Sequence, residues 1–214
     1  MSETARSGNL IIVSGPSGAG KSALVANALQ FLPHLRFSIS YTTRAPRGAE
    51  RNGVEYFFVD RSEFRSLLRS DDLLEWAEVH GNYYGTSRKF VEDLLNQGED
   101  VLLDIDVQGA QVVRRKHADA VGIFILPPSY QVLRDRLKHR SLDDDFVIEQ
   151  RLRIARKEIS HYREYDYLIV NEDLGSSTHA LQAIIESTRC RMAARVESAR
   201  SILASFGGID AEDP

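Results

Sequence analysis

Gly15-Pro16-Ser17-Gly18-Ala19-Gly20-Lys21-Ser22 satisfies the pattern G-x-x-x-x-G-K-[ST], whose residue types and spacing describe a cradle for phosphate. Glycines let backbone N–H groups converge on phosphate oxygens with no Cβ in the way, and a helix starting there adds the positive end of its dipole. Lys21 would bring a charge to the β and γ phosphates of ATP, and the Ser22 hydroxyl would ligate the accompanying Mg²⁺. The motif stands directly after the apolar run Leu10–Ser14 and before a helical pattern at Leu24, Val25, Ala28 and Leu29. It identifies a ligand and leaves the reaction open, because hydrolases, motors and small-molecule kinases all use it.

A phosphoryl acceptor has to be sought elsewhere, and residues 38–88 hold the candidates. They are Ser40, Tyr41-Thr42-Thr43-Arg44-Ala45-Pro46-Arg47, Glu50, Asn52-Gly53, Tyr56, Leu74-Glu75-Trp76 and Gly81-Asn82-Tyr83-Tyr84-Gly85-Thr86-Ser87. Leu103-Asp104-Ile105-Asp106-Val107-Gln108-Gly109 follows. In this order and spacing, from about Asn9 to Asp173, the chain resembles the guanylate kinases. The resemblance implies an enzyme of purine metabolism that moves the γ-phosphoryl group of ATP to GMP with Mg²⁺. It places Glu50 with the other acceptor residues.

The chemistry of the residues agrees with it. A monophosphate dianion calls for charge-assisted donors, which the guanidinium forks of Arg44 and Arg47 and the hydroxyls of Tyr56 and Tyr84 offer. Guanine presents N1–H and an exocyclic amine beside the O6 acceptor, so its site needs carboxylates and a hydroxyl donor; Glu75, Asp106, Ser40 and Thr86 fit. Adenine lacks those two donors and would leave buried carboxylates unpaired, which predicts a preference for GMP over AMP. Asp104 and Asp106 stand two apart at the end of a strand expected over 101–106 and should emerge on one face. By resemblance Asp104 lies near Mg²⁺ and the transferring phosphate, and Asp106 contacts the base.

Transfer also needs water excluded and the charge of the moving group neutralised. Residues 134–156 are dense in Arg, Lys and Asp, and the centre, His139-Arg140-Ser141-Leu142-Asp143-Asp144-Asp145, has loop character, so a mobile flap is expected. Arg140 and Arg151 match the two lid arginines of the family, and Arg136, one turn before, is an adenine or phosphate contact. Ser141 stands where the family has glycine, which predicts a stiffer or displaced hinge. Asn171, before Glu172 and Asp173, takes the place of the family's adenine contact. The acceptor oxygen is already ionised at neutral pH, so no general base is required.

The elements that must position these residues follow from hydrophobic patterning. Residues 10–14, 101–106, 121–126 and 167–171 are apolar runs that read as strands buried on both faces. Helical spacing appears at Phe90, Val91, Leu94 and Leu95, closed by Gly98, and again at Ile148, Leu152, Ala155 and Ile159. Leu181, Ile184, Ile185, Thr188 and Met192 suit one terminal helix. Alternating strands and helices predict a three-layer α/β/α core with a parallel sheet. The expected organisation is one domain over 1–214, with core segments 9–37, 100–133 and 157–206. A GMP-binding subdomain over 38–99 carries a short strand at residues 56–59 and a small helix near Ser62–Leu68, the lid spans 134–156, and 207–214 is a frayed tail.

Composition sets the outer bounds. The 214 residues, 43% hydrophobic and 27% charged, suit a packed globular enzyme. A net charge of −4 argues against a nucleic-acid partner. The start MSETARSGN has no apolar signal segment, no apolar run is long enough for a membrane span, and the lone Cys190 cannot pair within the chain, so the expected compartment is cytoplasmic. A homo-oligomer is compatible with all of this. The six histidines show no metal-ligand spacing and no Ser or Cys partner. Two alternatives stay open: a related kinase acting on another phosphate ester, and a non-enzymatic binding module of guanylate-kinase type.

Overall fold

The computed structural model describes residues 7–79, 81–140 and 145–207, with Arg140 described in its backbone alone. Expectations about the Ser141 hinge, the centre of the flap, the Arg140 side chain and the tail at 208–214 lie outside the described residues. The chain begins with β1 (Leu10–Ser14), α1 (Lys21–Phe31) and β2 (Leu35–Phe37). Next come β3 (Tyr41–Thr42), β4 (Phe57–Phe58), α2 (Arg61–Arg69), β5 (Leu73–Val79), β6 (Asn82–Ser87) and α3 (Arg88–Asn96). Then follow β7 (Asp100–Asp104), α4 (Val107–Lys116), β8 (Val121–Leu126), α5 (Tyr130–Arg140) and α6 (Asp145–Ile159). The chain returns through β9 (Tyr167–Val170), α7 (Leu174–Thr188) and α8 (Met192–Ser205).

A five-stranded, all-parallel sheet runs in the order β2-β7-β1-β8-β9. Side-chain alternation along β1 explains why Leu10, Ile11, Ile12 and Val13 are all apolar. Ile11 and Val13 pack with Leu24, Val25 and Ala28 of α1 and Leu181 and Ile185 of α7. Leu10 and Ile12 pack on the opposite face with Val91 of α3 and Ala110 and Val113 of α4. Helices on both faces make the α/β/α layering, and each fully buried isoleucine contributes about 2 kcal/mol of hydrophobic stabilisation.

β9 departs from the expectation of burial on both faces: Ile169 is inside, but Leu168 and Val170 are 46% and 42% exposed. It is an edge strand, covered by α7 on one face, and the periodicity of so short a run does not report that. The terminal helix also differs, since α7 ends at Thr188 and Met192, 77% exposed, opens the separate α8.

Residues 38–88 build a second sheet, β4-β3-β6-β5, around the antiparallel β5/β6 hairpin. Asp60 caps α2 by accepting from the N–H groups of Ser62 and Glu63, and Phe64 of that helix is fully buried beneath the hairpin near Gly85. Residues 134–156 are helical on both sides of 141–144: Leu133 and Leu137 of α5 pack on Ile148, Leu152 and Ala155 of α6, giving this hairpin a core of its own. No described helix is long and apolar enough to cross a membrane.

Candidate active site

The phosphate loop leaves β1 at Gly15, whose φ of 143° favours glycine, and reaches α1 through Gly18 and Gly20 at φ 90° and 96°. A Cβ on Gly15 would stand 2.2 Å from the Ile125 carbonyl oxygen, so close approach to β8 is a second reason for glycine there. α1 has no side-chain cap, which leaves its first N–H groups directed at whatever the loop encloses. The ammonium of Lys21 donates to the Gly15 carbonyl at 2.7 Å. Gly15→Ala is expected to destabilise the fold by about 2–4 kcal/mol in urea titrations, from backbone strain and collision combined. Unchanged stability would contradict this placement.

From the loop a cavity of about 590 Å³ extends between the two sheets. Gly15, Ser17, Gly18, Gly20, Lys21 and Ser22 line one end; Ser40, Tyr56, Glu75, Tyr84, Asp104 and Asp106 line the rest. Glu75, Ala77 and Val79 reach it together because alternate residues of β5 share a face. Asp104 ends β7, but Asp106 does not continue the strand. It is the N-cap of α4, accepting from the Gly109 N–H at 2.8 Å, and the turn between strand and helix, not strand alternation, brings both carboxylates to one cavity.

Glu75 is 4% exposed and accepts a 2.6 Å hydrogen bond from the fully buried Thr86 hydroxyl. Thr86 is thus a partner of Glu75 behind the cavity wall, and its hydroxyl proton is already engaged. Burial raises the Glu75 pKa to about 7; Thr86 opposes that rise and neighbouring Asp106 adds to it. Burial likewise raises Asp104, countered by Lys21, and raises the Tyr56 phenol.

Arg44, Arg47 and Glu50 occupy the turn beside Tyr56, outside the cavity lining. Both Glu50 oxygens accept from the Arg44 guanidinium at 2.9 Å, and one also accepts the Arg47 backbone N–H at 2.7 Å. This bidentate bond raises the Arg44 pKa and lowers that of Glu50. Arg44 stacks 5.3 Å over the Tyr56 ring, and Tyr56 meets Tyr84 edge-on. Glu50 here orients an arginine, while Arg47 is exposed.

Arg136 and Asn171 lie behind the phosphate loop. The Asn171 amide donates to the Ala19 carbonyl at 2.8 Å, and Arg136 donates to the carbonyls of Ala19 and Asn171. Arg151 of α6 donates to the Ser17 hydroxyl at 3.1 Å, joining that helix to the loop. Pro16 turns the loop, its carbonyl accepting from the Ala19 N–H. Sequence reasoning missed Glu158, a cavity-lining carboxylate of α6 whose pKa burial raises. Its signal was available: it follows Ala155 by three residues on the apolar stripe of that helix.

A family model described as guanylate kinase matches residues 7–188. The guanylate kinase of Koribacter versatilis is 52% identical over 188 residues, covering 86% of this chain and 81% of the relative. That of Shewanella oneidensis is 50% identical over 201 residues, 94% of this chain and 97% of its own. The crystal structure of guanylate kinase from Anaplasma phagocytophilum superposes with a TM-score of 0.79 at 35% identity, over 96% of this chain and 98% of that one. A family match over most of the length, relatives half identical and a shared fold leave one assignment: the chain belongs to the guanylate kinase family.

Proposed function

We infer that this protein transfers the γ-phosphoryl group of ATP to GMP, giving ADP and GDP. One observation carries the reading: a single cavity has a phosphate loop at one end and a buried, hydrogen-bonded carboxylate, Glu75, at the other. A GMP phosphate oxygen attacks the γ-phosphorus of ATP, a new P–O bond forms, and the bond to the β-phosphate oxygen breaks. Lys21 and the N–H groups of the loop stabilise charge on the donor phosphates. Arg44 and Arg47, with Tyr56 and Tyr84, hold the acceptor phosphate, and the ion pair with Glu50 fixes the Arg44 fork. Glu75, Asp106 and Ser40 read guanine, with Thr86 orienting Glu75. Arg136 and Asn171 hold the loop from behind next to the adenine side. Arg140 and Arg151 act from the lid, over 134–156, which closes with the acceptor unit at 38–99 upon the core and shuts out water.

The donor set suits Mg²⁺. Ser22 and Asp104 present hard oxygens to the same cavity, and the Asp104 carboxylate has Lys21 as its opposing charge but no hydrogen-bond donor among the described residues. No described cluster of three His, Cys, Asp or Glu could hold a metal, so phosphate oxygens and water would complete the shell, as is usual for Mg²⁺. When bound, the ion neutralises charge on the β and γ phosphates. A cytoplasmic setting agrees with the single exposed cysteine, Cys190.

ADP release from ATP and Mg²⁺, measured with GMP, AMP, CMP, UMP and no acceptor, tests the reading. GMP should exceed AMP by about 10⁴-fold in kcat/KM, since AMP leaves buried carboxylates unpaired. Equal rates with AMP would remove the base assignment. Absence of any acceptor-dependent rate would point to a binding module.

A further inference from the structure

Gly109 lies in the first turn of α4, three residues after the cap Asp106, and its φ is not among the positive values that call for glycine. Inside a helix glycine is the poorest choice other than proline, so its presence needs another cause. The cause visible in the structure is spatial. A Cβ on Gly109 would stand 2.6 Å from Glu75 Oε2, 3.2 Å from Glu75 Cδ and 3.4 Å from Asp106 Oδ1. On its other side the Gly109 N–H holds Asp106 Oδ1 at 2.8 Å. The two carboxylates that face the acceptor thus converge on one residue, though Glu75 lies on β5 of the second sheet and Asp106 on the core.

The Glu75 carboxylate is tethered where it stands. The other oxygen of Glu75 is held at 2.6 Å by Thr86. At the far end of α4 the Lys116 ammonium donates to the Leu74 carbonyl at 2.7 Å, fastening β5 to the same helix one residue before Glu75. A methyl group at position 109 would therefore push the Glu75 carboxylate off its bond to Thr86 before it separated helix from strand.

We propose that Gly109 is a specificity-determining position: the space left by its missing side chain sets where the Glu75 carboxylate stands beside Asp106, and thereby sets the preference for a purine monophosphate carrying N1–H and an exocyclic amine. Gly109 is a positioning residue acting through Glu75, and its role rests on the acceptor reading given above.

A double-mutant cycle on the full chain tests it, with Gly109→Ala, Glu75→Ala and the double variant assayed for kcat and KM with GMP and AMP. Gly109→Ala should lower kcat/KM for GMP about 10–100-fold, chiefly through KM, with AMP and the KM for ATP changed less than about twofold. Once Glu75→Ala has removed the obstructed group, adding Gly109→Ala should change nothing further. If Gly109→Ala alone fails to fold while the double variant folds, the collision with Glu75 is equally supported. An effect of the same size in both backgrounds, an unaffected Gly109→Ala enzyme, or failure of both variants to fold would overturn the proposal. If Glu75→Ala leaves GMP use intact, the acceptor reading falls, and the proposal with it.

Discussion

Replacing Lys21 with alanine is expected to lower kcat by about 10³-fold with every acceptor, measured by rapid-quench single turnover at saturating ATP. Among the described residues lining the cavity, Lys21 is the one Lys or Arg, and its ammonium is pre-placed by the Gly15 carbonyl at 2.7 Å. A fixed cation of this kind meets charge that builds up on the phosphates during transfer without having to reorganise, which is why its loss weighs on kcat more than on ground-state binding. Its removal also takes away the charge that opposes the burial-raised pKa of Asp104, so that carboxylate should protonate more readily in the variant. Lys21→Arg should restore little, because a planar fork cannot occupy the place of a compact ammonium. A kcat within a few-fold of the parent enzyme would remove Lys21 from the mechanism.

Glu75→Ala should reduce kcat/KM for GMP by at least about 10²-fold, leave the KM for ATP nearly unchanged and narrow the gap between GMP and AMP. Loss of ATP affinity alone would contradict it. The same residue predicts two pH effects. Its pKa rises from the ordinary 4.5 to about 7 in the folded protein, so the native state holds the proton more tightly than the unfolded chain. The stabilisation from that proton is complete below 4.5 and is lost as pH rises through about 7. Glu75→Gln should flatten this part of the stability profile in denaturant titrations at successive pH values. On the proposed role of Glu75, the KM for GMP in the parent enzyme should fall as pH rises through 7, because the carboxylate is the form that would accept from guanine. The substrate phosphate also ionises, near pH 6, and that contribution alone should survive in Glu75→Gln. A KM profile identical in the two proteins would remove Glu75 as the titrating group.

Contiguity explains how much of this protein could be read from its residues. The phosphate loop is legible because glycine spacing, a preceding apolar run and a following helix lie within some twenty residues, and its chemistry depends on backbone that those residues alone shape. Strands β1 and β8 are equally plain, with runs of buried apolar residues because helices cover both faces. β9 departs from the pattern because the same apolar run serves at an edge, and burial of an edge depends on what the rest of the chain lays over it. Met192 keeps the helical spacing of α7 although it opens α8, because that spacing carries across a break that only the backbone reveals.

The acceptor side divides in the same way. Residue types at Arg44, Tyr56, Glu75 and Asp106 pointed to a monophosphate and a guanine base, and with the order of motifs they determined the family. The sequence by itself also determined the α/β alternation, hence the parallel sheet. Only the tertiary structure decided that Glu50 grips Arg44, that Thr86 donates to Glu75, that Arg136 and Asn171 clasp the back of the phosphate loop, and that Glu158 and Gly109 face the cavity and its carboxylates. Most of these contacts join residues far apart along the chain, where local propensity and periodicity carry no information; they arise when packing brings β5, α4, α5 and α6 around one cavity.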